Sequence, residues 1–311
     1  MKRISLTVGP DVPPGTRIDK YLAAQEGLCT RSQLKTALRE ITQNGKPAKA
    51  SRPVRPGDIL EITVCEPQPP CYEAQNIPLD IIYEDDHVVV INKPRGMIVH
   101  PGSGARSGTL VQGLLYHVRS LAENFPEEKI RPGIIHRLDK DTSGILAAAK
   151  DRASHEYLAN QFRARSVQKR YLAIVQGKLP ETRGLVTANI RRDPRHRKRF
   201  TVCASGGRPA ETRYRVLAEC TGYTLVRLAP KTGRTHQLRV HMKSLGCPIL
   251  GDPLYGGRDE RFPRAPLMLH SRRLTLVLPG ETRKRGFTAP LPPDFAETLR
   301  LLFPSVVKDQ D

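Results

Sequence analysis

The sequence has few aromatic residues, no paired cysteine motif and no long apolar run. Aromatic residues make up 5% of the 311 positions. The chain can therefore bury a hydrophobic core, but it has few large apolar side chains beyond those that the core needs. Its six cysteines are scattered, with no C-x-x-C pair and no zinc-type spacing, which predicts reduced thiols and no metal site. The first residues lack the apolar stretch of a signal peptide, and no run reaches the roughly 18 residues of a membrane helix. We therefore expect a soluble, cytoplasmic protein without a membrane partner.

Motifs for nucleotide cofactors and serine hydrolases are also missing. Gly102, Gly104 and Gly108 do not complete a G-x-G-x-x-G loop, and neither a Walker A loop nor a G-x-S-x-G elbow is present. The sequence therefore predicts no cofactor. Asp139 and Asp141 could suggest the carboxylate pair of a glycosidase. Residues two apart on a tight turn seldom straddle one bond, so we discount that pair.

Positive charge dominates what the chain does contain. Lys and Arg number 51 against 31 Asp and Glu, a formal net charge of +20, which favours an anionic polymer as partner. Residues 163–215 hold 15 Lys and Arg against three Asp and Glu, a net +12. Within them, RRDPRHRKRF (191–200) is expected to be an exposed loop, either simply solvated or in contact with RNA. We favour RNA contact, by Arg191, Arg192, Arg195, Arg197, Lys198 and Arg199.

A proline-rich stretch divides the chain. The segment EPQPPCYEAQNIP (66–78) has four prolines and few aliphatic residues, which disfavours helices and central strands. We expect an N-terminal domain over residues 1–65, a linker over 66–79 and a larger domain over 80–311.

The N-terminal domain is predicted to present a basic helix. Thr30 and Gln33 fit a capping box, and Leu34, Leu38 and Ile41 would form one apolar stripe. Arg31, Lys35 and Arg39 would form a second, cationic stripe, either a solvated face or an RNA-binding surface. The stretches TRIDKYLA, TRSQLKTALRE, NGKPAKAS and RPGDILEI within residues 16–64 resemble the S4 RNA-binding domain, which implies RNA contact.

The larger domain has the pattern of an α+β fold. A hairpin is expected at residues 81–91 and a helix along Leu110 to Leu121. Residues 134–138 and 145–149 are predicted as strands around the polar loop 139–144. Asp151 is expected to cap the next helix, and further strands follow in hairpin order. Strands outnumber helices, so we predict a mixed, mostly antiparallel sheet with flanking helices.

Two places could hold catalytic side chains. Asp139 stands at the end of a predicted strand, where a rigid sheet can aim a side chain into a cleft, although an aspartate there can equally be a turn former. Thr235 is expected to cap a helix on which His236 and Arg239 share a face. A guanidinium at Arg239 could hold a carboxylate ionised.

The larger domain is similar to the RluA-type RNA pseudouridine synthases. The stretches that show this are HRLDKDTSGILAAAK (136–150), NKPRGMIVHPG (92–102), GTLVQGLLYH (108–117), KRYLAIVQG (169–177), GRPAETRYRVL (207–217), GRTHQLRVHMKSLGCPILGDPLYG (233–256) and LMLHSRRL (267–274). With the S4-like part they cover nearly the whole chain, as in the branch that modifies large-subunit ribosomal RNA. The resemblance implies that Asp139 is the catalytic aspartate, Tyr171 the active-site tyrosine, Arg239 the partner of Asp139, and Arg137 the residue that replaces the displaced base.

We add His136 as a second base-flipping residue and Arg234 and His236 as RNA contacts. An aspartate could react at C1′ or on the uracil ring, or drive elimination through a glycal, and the sequence leaves these routes open. A non-catalytic RNA-binding or assembly factor is the alternative function. We expect a monomer, since no association motif is evident.

Overall fold

The computed structural model describes residues 2–25, 38–64, 73–102, 107–126, 128 and 131–307. The chain divides into two compact units, Met1–Cys71 and Tyr72–Asp311. This division falls within the stretch that the sequence predicts as a linker.

The N-terminal unit is a small antiparallel sheet with one described helix. Its elements are β1 (Lys2–Thr7), α1 (Ile18–Ala24), β2 (Leu38–Gln43), β3 (Lys46–Pro47) and β4 (Ile59–Val64). The strand order is β1-β4-β2-β3, and Ile18, Leu22 and Leu60 are fully buried between helix and sheet. Asn44 and Gly45 form the tight turn between β2 and β3: both residues have positive φ angles, 54° and 74°, as such a hairpin turn requires.

The helix predicted over residues 30–41 is wrong in its last part. Leu38 to Gln43 form β2, in which Ile41 is buried and pairs with Ile62 of β4. The spacing from Leu38 to Ile41 suits a helical face. The segment forms a strand instead, because pairing with β4 buries alternate residues. Arg39 therefore lies on a strand rather than on a helical stripe. Arg31 and Lys35, with the predicted cap at Thr30, lie outside the described residues.

Ten strands of the described C-terminal unit form one sheet. They are β5 (Ile81–Glu84), β6 (Val88–Lys93), β7 (Ser143–Ala149), β8 (Gln168–Gln176), β9 (Arg183–Arg192), β10 (Phe200–Cys203), β11 (Arg208–Cys220), β12 (Tyr223–Pro230), β13 (Leu269–Val277) and β14 (Lys284–Thr288). The order is β10-β9-β11-β12-β8-β13-β7-β6-β5, with β14 paired to β13. Strands β7 and β13 pair in parallel and the other neighbours are antiparallel, which confirms the predicted fold class.

Helices cover both faces of this sheet. They are α2 (Leu110–His117), α3 (Leu121–Asn124), α4 (Arg152–Arg163), α5 (Gln237–Ser244), α6 (Pro293–Leu302) and α7 (Pro304–Val307). Alternate residues of β6 enter two separate cores, with Val89 in one and Val88 in the other. No helix in the described part of the chain is long and apolar enough to cross a bilayer.

Several local predictions are confirmed and one strand is not. The hairpin of β5 and β6 forms as expected, and the Asp151 carboxylate caps α4 by accepting the Ser154 N–H at 2.8 Å. Residues 135–139, however, are irregular, and Ile134 makes only an isolated bridge to Ala148. The His136 side chain takes the Ala147 N–H at 3.0 Å, so a side chain satisfies the donor that a neighbouring strand would have used.

Candidate active site

A cavity of about 440 Å³ opens in the C-terminal unit beside the irregular segment 135–139. Its wall includes all the residues proposed for catalysis and base displacement, and two of those proposed for RNA contact: Asp139, Tyr171, Arg239, Arg137, His136, Arg234 and His236. These side chains come from segments up to about a hundred positions apart in sequence. The fold therefore assembles one site from motifs that the sequence only suggests separately.

Asp139 reaches the cavity from a tight turn that precedes β7. Its carbonyl accepts the Thr142 N–H at 3.1 Å, which closes the turn, and its side chain is 22% exposed. Gly144, with φ at +108°, lets the chain enter β7 directly against Ser271 of β13. The carboxylate is thus held on a rigid turn yet open to a ligand.

Lys93, which was not predicted from the sequence, supports the turn that carries Asp139. It is fully buried, and its ammonium donates to the carbonyls of Pro94, Met97 and Lys140 at 2.8, 2.9 and 3.1 Å. Burial lowers the pKa of Lys93 to about 7, against the opposing pull of the nearby Asp139 charge. Its position in the NKPRG stretch was the available signal.

Arg239 on α5 is held mainly by Asp252, a second partner that the sequence did not predict beside Asp139. Its Nε and Nη2 donate to the two Asp252 oxygens at 2.7 and 2.6 Å, whereas Nη1 lies 3.9 Å from the nearer Asp139 oxygen. Burial by itself would lower the guanidinium pKa of Arg239, but the hydrogen bonds to Asp252 and the negative charges of Asp252 and Asp139 together outweigh it and raise that pKa. Asp252, with no exposed side-chain surface, lies in the GDPLYG stretch and was missed. It fixes Arg239 in place, and Nη1 is left directed toward Asp139.

Tyr171 on β8 forms the apolar side of the cavity. It is 8% exposed and pairs with Ser271 of β13. Burial raises the pKa of Tyr171 to about 12, with a further contribution from the charge of Asp139. The phenol is therefore protonated at neutral pH and can donate a hydrogen bond, and it is a weaker acid than a solvent-exposed tyrosine.

Arg137 and His136, adjacent in sequence, have different surroundings. Arg137 is exposed at the cavity mouth, with Nη1 3.5 Å from His100 Nε2. His136 accepts the Ala147 N–H and stacks on Phe162 with ring centroids 4.7 Å apart. Burial lowers the pKa of His136 to about 3, so the imidazole is neutral. These contacts assign His136 the task of anchoring the segment that carries Asp139, and its predicted part in base flipping stays a prediction.

The predicted cap of α5 is one residue off. His236, not Thr235, precedes the helix, in a left-handed conformation with φ at 57°. Its Nδ1 lies 2.8 Å from the Tyr255 hydroxyl oxygen, which also accepts the Phe200 N–H at 2.8 Å. The Tyr255 ring in turn lies 5.1 Å from the Arg239 guanidinium carbon. His236 therefore belongs to a network around Arg239 as well as to the cavity wall.

The basic segment 191–200 is an ordered hairpin connection rather than a free loop. Arg191 and Arg192 are the last residues of β9, and Phe200 begins β10. The Asp193 carboxylate closes the turn by accepting the backbone N–H groups of Arg195 and His196. The turn exposes its cationic side chains, chiefly Arg195, Arg197 and Lys198. In the described residues we find no group of three or more potential metal ligands.

Known protein families and solved structures show which proteins this chain is similar to. The family described as RNA pseudouridylate synthase matches residues 87–244. "Ribosomal large subunit pseudouridine synthase D" of Borreliella burgdorferi is 45% identical over 90% of this chain and 87% of that protein. The uncharacterized RNA pseudouridine synthase YlyB of Bacillus subtilis is 40% identical over 97% and 99% of the two chains.

A solved structure, human RNA pseudouridylate synthase domain containing 4, superposes with a TM-score of 0.56 at 28% identity. The superposed region covers 71% of this chain and 92% of the human chain. The identity to the bacterial relatives extends over nearly the whole chain, and the matched region contains Asp139, Tyr171 and Arg239. The chain therefore belongs to the RNA pseudouridylate synthase family.

Proposed function

We propose that this enzyme converts specific uridines of large-subunit ribosomal RNA to pseudouridine, with Asp139 as the catalytic carboxylate. The observation that carries the proposal is the placement of Asp139: partly exposed in the cavity wall, 3.9 Å from an arginine that Asp252 holds in place. Relatives named for the large ribosomal subunit, at 45% and 39% identity, support the choice of RNA.

The reaction is an isomerisation that needs no external reactant. The C1′–N1 bond of uridine breaks, the uracil turns within the site, and a C1′–C5 bond forms while the C5 proton is lost and N1 gains one. Asp139 acts covalently on the sugar or the base, or drives elimination through a glycal. Arg239 supplies a positive charge beside it, which Asp252 holds in place.

The cavity suits a base that has left its stack. Its volume of about 440 Å³ is in the range of small-ligand sites. The Tyr171 ring offers an apolar contact to uracil, and its protonated hydroxyl can donate to a carbonyl oxygen of the base. Arg137 at the mouth occupies the gap left in the RNA in this proposal, which offsets part of the unstacking cost of a few kcal/mol.

RNA outside the cavity is held by positive charge. The exposed Arg195, Arg197 and Lys198 supply phosphate contacts that position the strand without reading its sequence. The N-terminal unit, whose small sheet is consistent with an S4 domain, adds a second RNA contact that includes Arg39 and, by sequence, Arg31 and Lys35. We infer that the enzyme acts as a monomer in the cytoplasm.

Substitution of Asp139 tests the proposal. A transcript of the large-subunit RNA labelled with 5-tritiated uridine releases tritium when C5 becomes bonded to C1′. We expect Asp139→Asn to release none while RNA binding survives, and Asp141→Asn, on the same turn, to stay active. The modified positions are mapped by carbodiimide primer extension on the same transcript. Tritium release by Asp139→Asn near the wild-type rate would refute the assignment.

A further inference from the structure

A second cavity, of about 320 Å³, lies next to the first and has no part in the reaction described above. Its wall is formed by the β9–β10 hairpin, the start of β11 and the segment before α5: Ile190, Arg191, Arg192, Phe200, Gly207, Arg208, Gly233, Arg234 and Thr235. Arg234 and Thr235, with Gly233, also line the uridine cavity. The two cavities therefore share one wall.

The chemistry of this second cavity is that of a phosphate site. Four arginines line it, and no carboxylate is among the described residues of its wall. Arg234 is oriented by its Nε, which donates to the Pro209 carbonyl at 3.1 Å. Guanidinium groups bind phosphate oxygens through paired N–H donors. Four such groups close together repel each other unless an anion lies between them.

An aromatic ring adds a place for a base. Phe200 is partly buried in the same wall, with the Arg192 guanidinium carbon 5.4 Å from its ring centroid. Arg192 is itself held there by a bond from Nη1 to the Arg197 carbonyl at 2.8 Å. A ring beside a guanidinium is the arrangement on which single-stranded bases stack in RNA-binding proteins.

We propose that the second cavity binds the nucleotide directly adjacent to the target uridine, with its phosphate between Arg208 and Arg234 and its base at Phe200. The inference rests on the proposed function. The two cavities share the wall of Gly233 to Thr235. When the target uridine fills the first cavity, the next nucleotide of the same RNA strand therefore lies at the second cavity. The second cavity thereby helps the enzyme to select uridines by the nucleotide that lies next to them in the RNA.

The second cavity is also connected to the catalytic arginine. The Phe200 backbone N–H donates to the Tyr255 hydroxyl, and the Tyr255 ring lies 5.1 Å from the Arg239 guanidinium. The second cavity therefore shares Tyr255 with the guanidinium that stands beside Asp139. We accordingly expect its loss to lower kcat as well as to raise KM.

Neutral phosphate analogues test the subsite directly. Single methylphosphonate linkages are built by splinted ligation into the large-subunit transcript, on each side of the mapped uridine and three nucleotides away. We expect one adjacent substitution to lower kcat/KM of the wild-type enzyme at least about tenfold, as loss of a charged contact would. In Arg208→Gln the same substitution should cause no further loss. Arg195→Gln removes the same charge from the hairpin tip, outside the cavity, and should keep the full tenfold sensitivity.

Two results would overturn the inference. Either the wild-type enzyme tolerates a neutral linkage at both neighbouring positions, or Arg208→Gln remains as sensitive to it as the wild type. In both cases tritium release from the unmodified transcript would leave the proposed function standing. No release by the wild-type enzyme would refute the proposed function, and the subsite with it.

Discussion

Asp252 and Asp139 flank the same guanidinium, and the structure predicts opposite consequences for their substitution. Asp252 is fully buried and accepts two hydrogen bonds from Arg239, at 2.7 and 2.6 Å, and the N–H groups of Leu254 and Tyr255 at 2.9 and 3.0 Å. Asp139 is 22% exposed and 3.9 Å from Arg239. The first carboxylate holds the arginine, and the second is the one for which we propose a catalytic role.

The expected magnitudes follow from burial. Breaking a buried ion pair costs about 3–5 kcal/mol, because the remaining charge is left without a partner. Asp252→Asn also places an amide N–H₂ against a guanidinium donor, so we expect about 3 kcal/mol or more of lost unfolding free energy. Asp139→Asn leaves Arg239 paired with Asp252, and we expect a change below about 1 kcal/mol.

Urea unfolding and single-turnover tritium release measure the two effects on the same proteins. Asp139→Asn should unfold near the wild-type midpoint and show no release. Asp252→Asn should unfold at lower urea and, where still folded, react about 100-fold more slowly because Arg239 loses its fixed position. An Asp252→Asn protein with wild-type stability and a wild-type rate would refute this division between the two carboxylates.

Three further predictions concern acid stability, packing and RNA affinity. His241 and His270 are fully buried, and burial lowers the pKa of each to about 4. The unfolded chain protonates both histidines below about pH 6.5, whereas the folded protein keeps them neutral until about pH 4. The free energy of unfolding is therefore highest above pH 6.5 and falls toward pH 4, by up to about 2.7 kcal/mol per pH unit for the two together. Urea midpoints between pH 7.5 and 4.5 should show the decline, and His241→Gln should make it shallower. Gly144→Ala would press a Cβ against the Ser271 carbonyl oxygen and should lower the thermal midpoint far more than Gly222→Ala, where φ is also positive but an added Cβ meets nothing within 4 Å. Equal midpoints would contradict the tight β7–β13 contact. Deleting residues 1–65 should weaken RNA binding and reduce the slope of log affinity against log salt by about 0.7–0.9 per lost phosphate contact, and an unchanged slope in filter binding would show that this unit is not an RNA anchor.

The errors of the sequence-based predictions have a common cause. Residues 134–138 are apolar enough for a strand, yet the His136 imidazole takes the Ala147 N–H and keeps the segment irregular. Leu38 and Ile41 suit a helical face, yet pairing with β4 makes them a strand. In each case a contact distant in sequence outweighs a local pattern, as tertiary context commonly does.

The amino-acid sequence by itself determined the α+β class, the antiparallel hairpins, the excess of positive charge and the motif around Asp139, since these depend on local periodicity, composition and recognisable stretches. Only the tertiary structure decided which partner holds Arg239, that Lys93 supports the turn of Asp139, and that a second basic cavity adjoins the first. Those facts depend on side chains brought together from segments far apart in the chain, and no local pattern encodes the distance between them.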